Sequence, residues 1–380
     1  MSYWGCLSQV FSPEWPVKHP TGASGTPDFN KISPFGQESN NPTGRVRQIA
    51  AKFVPLLSYR PPDTRSIARD PRSTALANLS KHTLQIQYMF QILKKSQLAP
   101  SIYLMEVEAP RVACAAQPGQ FLIVIVDEKG ERIPLTICDY DARKGTVTIV
   151  IQAIGASTMR IVALEEGDCF ADFVGPLGHP SEFIHYTPEK LAATRFMFVA
   201  GGLGAAPVYP QVKWLAEHGV QADVIIGAKN ESLILFEEEF RALTPNVHIA
   251  TDDGSKGYKG LVTNLLKDLV VRDGRHFDCV VAIGPMIMMK FVALTTKELN
   301  IPTIVSLNTL MVDGTGMCGA CRVTVGGRIR FACVEGPEFD AHQVDFDEAM
   351  RRQGMYRTIE ERKRAIEAER LAGHKCNIGL

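Results

Sequence analysis

One acidic residue and three cysteines in the C-terminal part of the chain are spaced as metal ligands. Asp313, Cys318, Cys321 and Cys333 form the pattern D-x4-C-x2-C-x11-C. Thiolates are the usual ligands of iron–sulfur clusters, and plant-type sites use C-x4-C-x2-C with a distant fourth cysteine. The pattern predicts a [2Fe–2S] cluster with three thiolate ligands and one carboxylate ligand. Zinc is the alternative, although zinc sites usually combine two close pairs of ligands.

The residues around these ligands predict a loop that leads into a β-hairpin. Glycines alternate with the ligands and let the backbone wrap closely around a cluster. A strand at 321–325, a turn at Gly326 and Gly327, and a second strand at 328–333 follow. Such a hairpin returns Cys333 to the side of the loop.

Length and composition predict a globular protein of two or three domains. The chain has 380 residues, 45% of them hydrophobic and 22% charged, and a formal net charge of zero. Zero net charge argues against a nucleic-acid or anionic-membrane partner held by bulk electrostatics. Apolar runs such as 121–126 have the length of strands, so we expect no membrane span. The remaining cysteines show no pairing rhythm, which favours a reducing, cytoplasmic setting.

Short strands predict a β-barrel in the first half of the chain. Within it, Arg132 is a candidate partner for a pyrophosphate, and Thr136 is a candidate contact of an isoalloxazine ring. The turn at 155–158 offers the amides of a helix N-terminus to phosphate. Helix capping by Ser157 or Thr158 is a purely structural alternative. The predicted strands are 82–93, 101–108, 120–126, 133–139 and 146–153, with a helix at 159–164.

A strand, a glycine turn and a helix begin a second, α/β pattern. The strand at 195–200 enters Gly201-Gly202-Leu203-Gly204, and a helix follows to His218. Glycines there allow a pyrophosphate to approach the backbone at the helix N-terminus, although Pro207 replaces the third glycine of the usual fingerprint. Further strands and helices predict a doubly wound parallel sheet, whose carboxyl strand ends gather ligands. The predicted strands are 222–227, 247–250, 279–283 and 303–307, and the helices are 237–243, 260–271 and 286–299.

Several motifs together resemble the ferredoxin–NADP reductase superfamily. These are RIPLT, FVAGGLGAAPVYP, TDDGSKGYKG, AIGPMIMMK and MVDGTGMCGACRVTVGG, within residues 82–340. The resemblance is to the branch of dihydroorotate dehydrogenase electron-transfer subunits and sulfide dehydrogenase-like proteins. It implies a ferredoxin reductase-like fold with a β-barrel flavin-binding domain, a doubly wound α/β nucleotide-binding domain and a small C-terminal [2Fe–2S] cluster loop with a hairpin. Dihydroorotate-linked subunits have cysteine at the position of Asp313.

The resemblance also implies which residues hold the cofactors. We expect hydride transfer between the nicotinamide and FAD, followed by single-electron transfer to the cluster, with no catalytic acid or base from the protein. Lys229 is a candidate contact of a 2′-phosphate, so NADP(H) remains an alternative to NAD(H). Asp253 follows the carboxyl end of a predicted strand of the α/β domain, and it is also assigned to the nucleotide site. FAD is assigned to Arg132, Pro134, Leu135, Thr136, Gly155, Ser157 and Thr158, and NAD(H) to Gly201, Gly202, Gly204, Ala205, Gly284 and Pro285, with Asp313, Cys318, Cys321 and Cys333 as cluster ligands.

The predicted division has five segments. An irregular N-terminal extension (1–80) precedes the barrel (81–190), the nucleotide domain (191–307), the cluster domain (308–342) and a charged helical tail (343–380). The tail is either a solvated helix or a docking element. The resemblance implies a larger partner that carries FAD and [4Fe–4S] clusters, is related to the glutamate synthase small subunit, and handles NADP(H) and ferredoxin. The alternatives are a subunit of a dihydroorotate or sulfide dehydrogenase-type complex, a stand-alone flavin enzyme, and a zinc-stabilised nucleotide-binding regulator.

Overall fold

The computed structural model describes residues 90–374. The predicted N-terminal extension at 1–80, and the part of the first predicted strand before Phe90, lie outside the described residues.

The first sheet has seven antiparallel strands and forms a nearly closed barrel. Its strands lie in the order β6-β1-β2-β5-β4-β3-β7. The edge strands β6 and β7 are consecutive in the chain, and the N–H of Ala171 between them donates to the Ile125 carbonyl of β3 at 2.9 Å. The two edges of the sheet therefore meet around a core that includes Met105, Leu122 and Ile149. The strands are β1 (Phe90–Ala99), β2 (Ile102–Glu108), β3 (Phe121–Ile125), β4 (Ile133–Asp141), β5 (Thr146–Gln152), β6 (Cys169–Phe170) and β7 (Asp172–Leu177).

Several features of the barrel differ from the sequence prediction, including the first strand, which continues to Ala99 rather than ending at 93. Gly175 and Pro176 lie within β7, which has no counterpart among the predicted strands. A proline has no N–H to donate, and an edge strand tolerates this loss. Helix α1 (Pro110–Ala115) was not predicted, and helix α2 (Ala156–Ala163) begins before Met159.

The second sheet is the predicted parallel sheet, with one antiparallel edge strand. Its order is β11-β10-β9-β8-β12-β13-β16, and β16 runs antiparallel to β13. Alternate residues of β8 enter two different cores, because side chains of a strand alternate between its faces. Phe198 packs with Val208 of α4, whereas Val199 packs with Met289 of α7. The strands are β8 (Phe196–Gly201), β9 (Asp223–Ala228), β10 (Val247–Thr251), β11 (Tyr258–Lys259), β12 (Cys279–Ile283), β13 (Thr303–Ser306) and β16 (Glu338–Asp340), and the helices are α3 (Pro188–Ala193), α4 (Ala205–Glu217), α5 (Glu237–Leu243), α6 (Val262–Lys267) and α7 (Met286–Glu298).

The predicted hairpin is present, but its second strand is shorter than expected. Strands β14 (Arg322–Val325) and β15 (Arg328–Phe331) pair antiparallel. Cys333 was placed on this second strand, and that placement is wrong, because Cys333 lies in the short helix α8 (Ala332–Glu335). The Glu335 carboxylate accepts a hydrogen bond from the Phe331 N–H at 2.8 Å, which ends the strand and turns the chain into the helix.

Two helices complete the described chain. Helix α9 (Phe346–Gln353) starts at Asp345, whose carboxylate accepts from the Glu348 N–H at 2.9 Å. Helix α10 (Arg357–His374) packs against α2 of the barrel. Among residues 90–374, no helix combines the length and the apolar character needed to cross a bilayer.

Candidate functional site

The loop before β14 places Asp313 beside Cys318. The Asp313 carboxylate accepts hydrogen bonds from the Thr315 hydroxyl at 2.9 Å and from the Met317 N–H at 3.1 Å. The Cys318 thiol lies 3.2 Å from Asp313 Oδ1. This thiol contact is the main cause that lowers the pKa of Asp313 to about 2. The Asp313 carboxylate is therefore anionic at neutral pH, which suits its predicted role as an oxygen ligand.

The other two cysteines form a second, buried pair. The sulfur atoms of Cys321 and Cys333 lie 3.2 Å apart, and the Cys333 N–H points to the Cys321 sulfur at 3.5 Å. Burial raises the pKa of Cys333 to about 12. The backbone of Gly316, from the loop between Asp313 and Cys318, forms a hydrogen bond to the Cys333 thiol. The two pairs thus adjoin each other. Because a buried thiol stays neutral without a cation, metal binding here must release protons.

The arrangement of the ligands favours a two-iron cluster over zinc. A zinc ion needs four ligands that converge on one point. The four predicted ligands instead form two pairs, and each pair suits one iron of a [2Fe–2S] cluster. The residues present therefore fit the predicted cluster.

Helix α9 contacts the cluster loop and the segment that precedes it. The Arg352 guanidinium donates to the Ala320 carbonyl, between two predicted ligands, at 3.0 Å. Gln353 donates to the Asn308 carbonyl at 2.7 Å. These contacts were not predicted, because α9 lies in the segment that the sequence analysis assigned to the tail.

Strand β4 carries the predicted isoalloxazine contacts. Pro134, Leu135 and Thr136 pair with Ile123, Leu122 and Phe121 of β3 and are partly exposed. They lie in the barrel wall, where a flat ring can pack on them.

A carboxylate of the protein itself, that of Glu131, lies at the N-terminus of α2. The Ser157 hydroxyl donates to the Glu131 carboxylate, which also pairs with Lys363 of α10. The Lys363 contact is the main cause that lowers the pKa of Glu131. The hydroxyl of Thr158 accepts from the Gly155 N–H at 2.9 Å, so it caps the helix. This helix end therefore attracts negative charge, as a diphosphate site requires.

Arg132 lies next to this group but faces another part of the molecule. Its guanidinium donates to the carbonyls of Val312 and Asp313 at 3.0 and 3.2 Å. The structure therefore places Arg132 against the cluster loop, and its pairing with a flavin diphosphate stays a prediction.

The predicted nucleotide residues meet at the carboxyl ends of β8 and β12. At Gly204, a Cβ atom would lie 2.0 Å from the Ile283 carbonyl oxygen and 3.0 Å from the Gly284 Cα. Glycine is required here, since the turn after β8 touches the end of β12. Gly201, Gly202, Ala205 and Pro285 share this region. Asp253 lies at the same edge of the sheet, after β10, and its carboxylate accepts from the Ser255 N–H at 2.9 Å.

Helix α4 joins the glycine turn at 201–204, where the nucleotide is predicted, to strand β4, where the flavin is predicted. Lys213 of α4 pairs with Asp139 of β4 at 2.7 Å. The helix also packs against β4. A nucleotide at the start of α4 and a flavin on β4 are therefore held by elements in direct contact.

Sequence reasoning missed two groups of residues. Glu131 directly precedes the RIPLT motif and could have been considered with it, whereas Lys363 has no local pattern to identify it.

The second group surrounds Glu338, which lines a cavity of about 910 Å³ at the amino ends of β12 and β13. Its carboxylate accepts from the Ser181 hydroxyl at 3.0 Å and the Gln211 amide at 2.9 Å. Burial raises the pKa of Glu338 to about 7.

Two family models match the chain. The iron-sulfur cluster binding domain of dihydroorotate dehydrogenase B matches residues 308–345, and the oxidoreductase NAD-binding domain matches residues 198–294. The first range contains all four predicted cluster ligands. The second contains the glycine turn, Asp253, Gly284 and Pro285.

Curated proteins and a solved structure are similar to about three quarters of the chain. An uncharacterized protein from the adh 3′ region of Clostridium beijerinckii is 59% identical over 74% of this chain and 95% of its own length. A homologue of the dihydroorotate dehydrogenase B (NAD+) electron transfer subunit from Thermotoga maritima is 43% identical over 71% of this chain and 92% of its own. A chain in the solved structure of an NADH-dependent reduced ferredoxin-NADP oxidoreductase is 40% identical with a TM-score of 0.68, over 75% of this chain and 98% of that one.

Proposed function

Because the chain belongs to the family of dihydroorotate dehydrogenase B electron-transfer subunits and their homologues, we propose that it moves electrons between NAD(H), FAD and a [2Fe–2S] cluster within a larger complex. It is an oxidoreductase subunit with a ferredoxin reductase-like fold. When bound, FAD exchanges a two-electron hydride for single electrons.

The position of β4 carries the proposal. On one side, Asp139 of β4 contacts Lys213 of the helix that begins at the nucleotide turn. At the start of the strand, Arg132 contacts the loop of predicted cluster ligands. Strand β4 therefore contacts both the helix that begins at the glycine turn and the loop of predicted cluster ligands, which supports electron transfer from nicotinamide through flavin to cluster.

The protein's own residues bind and orient the cofactors. In this proposal, Thr136 with its neighbours Pro134 and Leu135 packs against the flavin ring. The α2 N-terminus, with Gly155, Ser157 and Thr158, holds the flavin phosphates. The glycine turn at 201–204 and Ala205, with Gly284, Pro285 and Asp253, holds NAD(H).

A larger partner subunit is implied by the relatives, which are subunits of complexes. We propose that the partner carries FAD and [4Fe–4S] clusters, resembles the glutamate synthase small subunit, and handles NADP(H) and ferredoxin, with electron bifurcation as a possible outcome. The support is the 40% identity to a chain of a reduced ferredoxin-NADP oxidoreductase. We place the complex in a reducing, cytoplasmic compartment, since none of the seven described cysteines forms a disulfide.

A dihydroorotate dehydrogenase-type complex is the second candidate. It is favoured by the names of several relatives, including a Desulforamulus reducens electron transfer subunit with 34% identity over 96% of its length. Asp313 argues against this candidate, because the dihydroorotate-linked subunits are expected to have a cysteine where this chain has Asp313.

Anaerobic purification and reduction test the proposal. We expect flavin and iron–sulfur absorption in the purified full chain, and reduction of both by NADH with a cluster EPR signal. The variant Cys321→Ser should keep flavin reduction and lose the EPR signal. A colourless zinc protein, or a yellow protein without iron, would contradict the proposal.

Purification of the native complex tests the partner. Ferredoxin- and NADP(H)-dependent activity supports the first candidate, and dihydroorotate-dependent reduction supports the second. Purification of the chain as an active single polypeptide would contradict both.

A further inference from the structure

Arg132 reaches from the start of β4 to the segment that enters the cluster loop. Its Nε donates to the Val312 carbonyl at 3.0 Å, and a terminal nitrogen donates to the Asp313 carbonyl at 3.2 Å. The guanidinium thus holds two successive peptide carbonyls, and the second belongs to a predicted ligand. A planar guanidinium offers several donors in fixed directions, whereas lysine offers one point charge on a flexible stem. The contact is therefore specific for arginine.

Apolar packing fixes the other end of the loop to the same side of the barrel. Cys321 and Cys333 share a core with Phe121 and Ile123 of β3. At Gly314, a Cβ atom would lie 2.6 Å from the Ile123 side chain, so the loop touches the barrel directly after Asp313.

The two ligand pairs differ in how they are held. Cys321 and Cys333 are buried, whereas Cys318 is exposed and Asp313 is partly exposed. Apolar contacts therefore hold the buried pair, and the exposed pair depends on polar contacts. Arg132 supplies two of these, and it attaches them to the strand that carries the predicted flavin contacts.

We infer that Arg132 is a positioning residue for the ligand Asp313 and sets the placement of the cluster relative to the flavin strand. The inference rests on the proposed function, because the orientation of Asp313 matters to the chemistry only when it binds the cluster. By holding the carbonyls of 312 and 313, Arg132 fixes the peptide planes from which the Asp313 side chain projects. Its positive charge near the ligands also favours the reduced cluster, which carries one more negative charge.

Two substitutions in the full-length holoprotein test this role. Arg132→Ala removes both hydrogen bonds and the charge, and Arg132→Lys keeps the charge with one flexible donor. We expect Arg132→Ala to speed cluster loss to a chelator about tenfold, in line with the loss of two charge-assisted hydrogen bonds. Its EPR line shape should change and the cluster midpoint potential should fall. Arg132→Lys should restore most of the potential but not the line shape. FAD affinity should change by less than about twofold.

Arg330→Ala is the matched control. Arg330 lies on β15 near the same ligands, but it pairs with the Glu335 carboxylate at 2.6 Å rather than with the loop carbonyls. It should leave the EPR line shape and the rate of cluster loss unchanged. A merely structural role for Arg132 would lower the melting temperature while the EPR line shape stays that of the wild type, and this result would overturn the inference.

Two further outcomes are decisive. A large loss of FAD affinity in Arg132→Ala with an unchanged cluster would indicate that Arg132 binds the diphosphate of FAD. It would refute the positioning role. Unchanged cluster properties in both variants would refute it as well. Failure of the proposed function is distinguishable, because the wild-type protein itself would then lack FAD or the cluster.

Discussion

Glu367 of the C-terminal helix α10 lies 2.8 Å from the Arg160 guanidinium of α2, although 207 positions separate the two residues. The Glu367 side chain is 2% exposed, and it also pairs with Arg370 at 3.0 Å. Arg160 lies one turn beyond the α2 N-terminus, where the flavin phosphates are proposed to bind. The C-terminal helix is therefore fastened to the flavin-binding side of the barrel.

Loss of this ion pair should loosen α10. Glu367→Gln is expected to lower the free energy of unfolding by about 1 kcal/mol, since the partner Arg160 is partly exposed and solvent screens the pair. Glu361→Gln, on an exposed part of the same helix, should change it by less than about 0.5 kcal/mol. Urea unfolding of both variants measures the difference. Equal effects would show that the Arg160 contact does not hold the helix.

Local patterns predicted the regular elements well. The buried run Cys279–Ile283 has the same bounds in the structure as in the prediction, because every residue in it is apolar and the flanking residues end the strand. Strand β7 was not predicted, because its Gly-Pro dipeptide at 175–176 is typical of a turn. An edge strand can accommodate this proline, which has no N–H to donate. Cys333 was predicted to lie beside the cluster loop, but on the strand 328–333 rather than in helix α8. The capping contact of Glu335, which ends this strand, cannot be inferred from the strand-like sequence.

Long-range polar contacts could not be predicted. Arg132 with Asp313 and Glu131 with Lys363 are separated by 181 and 232 positions. Charged residues on a surface have many possible partners, and no local period selects one of them. These contacts depend on how the barrel, the cluster loop and the C-terminal helix pack, which the sequence pattern leaves open.

The Glu131 carboxylate stands at the α2 N-terminus, where the diphosphate of FAD is proposed to bind. Glu131→Gln should therefore strengthen FAD binding about threefold, because it removes a negative charge near the phosphates. Lys363→Gln should weaken binding by a similar factor. Titration of the apoprotein with FAD, followed by flavin fluorescence, measures both, with the exposed Glu128→Gln as control. Weaker binding by Glu131→Gln would show that the carboxylate supports the site.

Asp313 is expected to be required for the cluster but not for FAD. Asp313→Ala should lose most of the iron and sulfide and retain the flavin, because one iron is left with a single protein ligand. Asp313→Cys should retain the cluster with an altered EPR signal, since a thiolate donates more charge to iron than a carboxylate does. Iron and sulfide analysis with EPR tests both. A full cluster with an unchanged signal in Asp313→Ala would exclude Asp313 as a ligand.

Gly204 should not tolerate a side chain. A Cβ atom there would meet the Ile283 carbonyl at 2.0 Å, so Gly204→Ala must separate the nucleotide turn from β12. We expect a loss of about 3 kcal/mol in the free energy of unfolding and weaker NADH binding. Gly219→Ala is the control, because its φ of +77° is left-handed but nothing lies within 4 Å of its Cβ position. It should cost about 1 kcal/mol and leave NADH binding unchanged. Equal NADH affinity in both variants would argue against the proposed nucleotide site.

Glu338 should make the stability of the protein fall as the pH rises. Burial raises its pKa from 4.5 to about 7, so the folded protein binds this proton more tightly than the unfolded chain does. Below about pH 4.5 both states are protonated. Between about pH 4.5 and 7 the unfolded chain loses the proton first, and the free energy of unfolding should fall by at most about 3 kcal/mol. Above about pH 7 both states are ionised, and the loss is complete.

The variant Glu338→Gln isolates this effect, because it keeps the hydrogen bonds with Ser181 and Gln211 but cannot ionise. Its stability relative to the wild type should therefore rise from pH 4.5 to 7 and then stay constant. Glu182 is a second carboxylate on the same cavity, and its charge also raises the pKa of Glu338. Glu182→Gln should shift the midpoint of the Glu338 effect to lower pH. Urea unfolding across this pH range measures all three proteins. A constant difference between wild type and Glu338→Gln would mean that Glu338 ionises at the same pH in the folded and unfolded states.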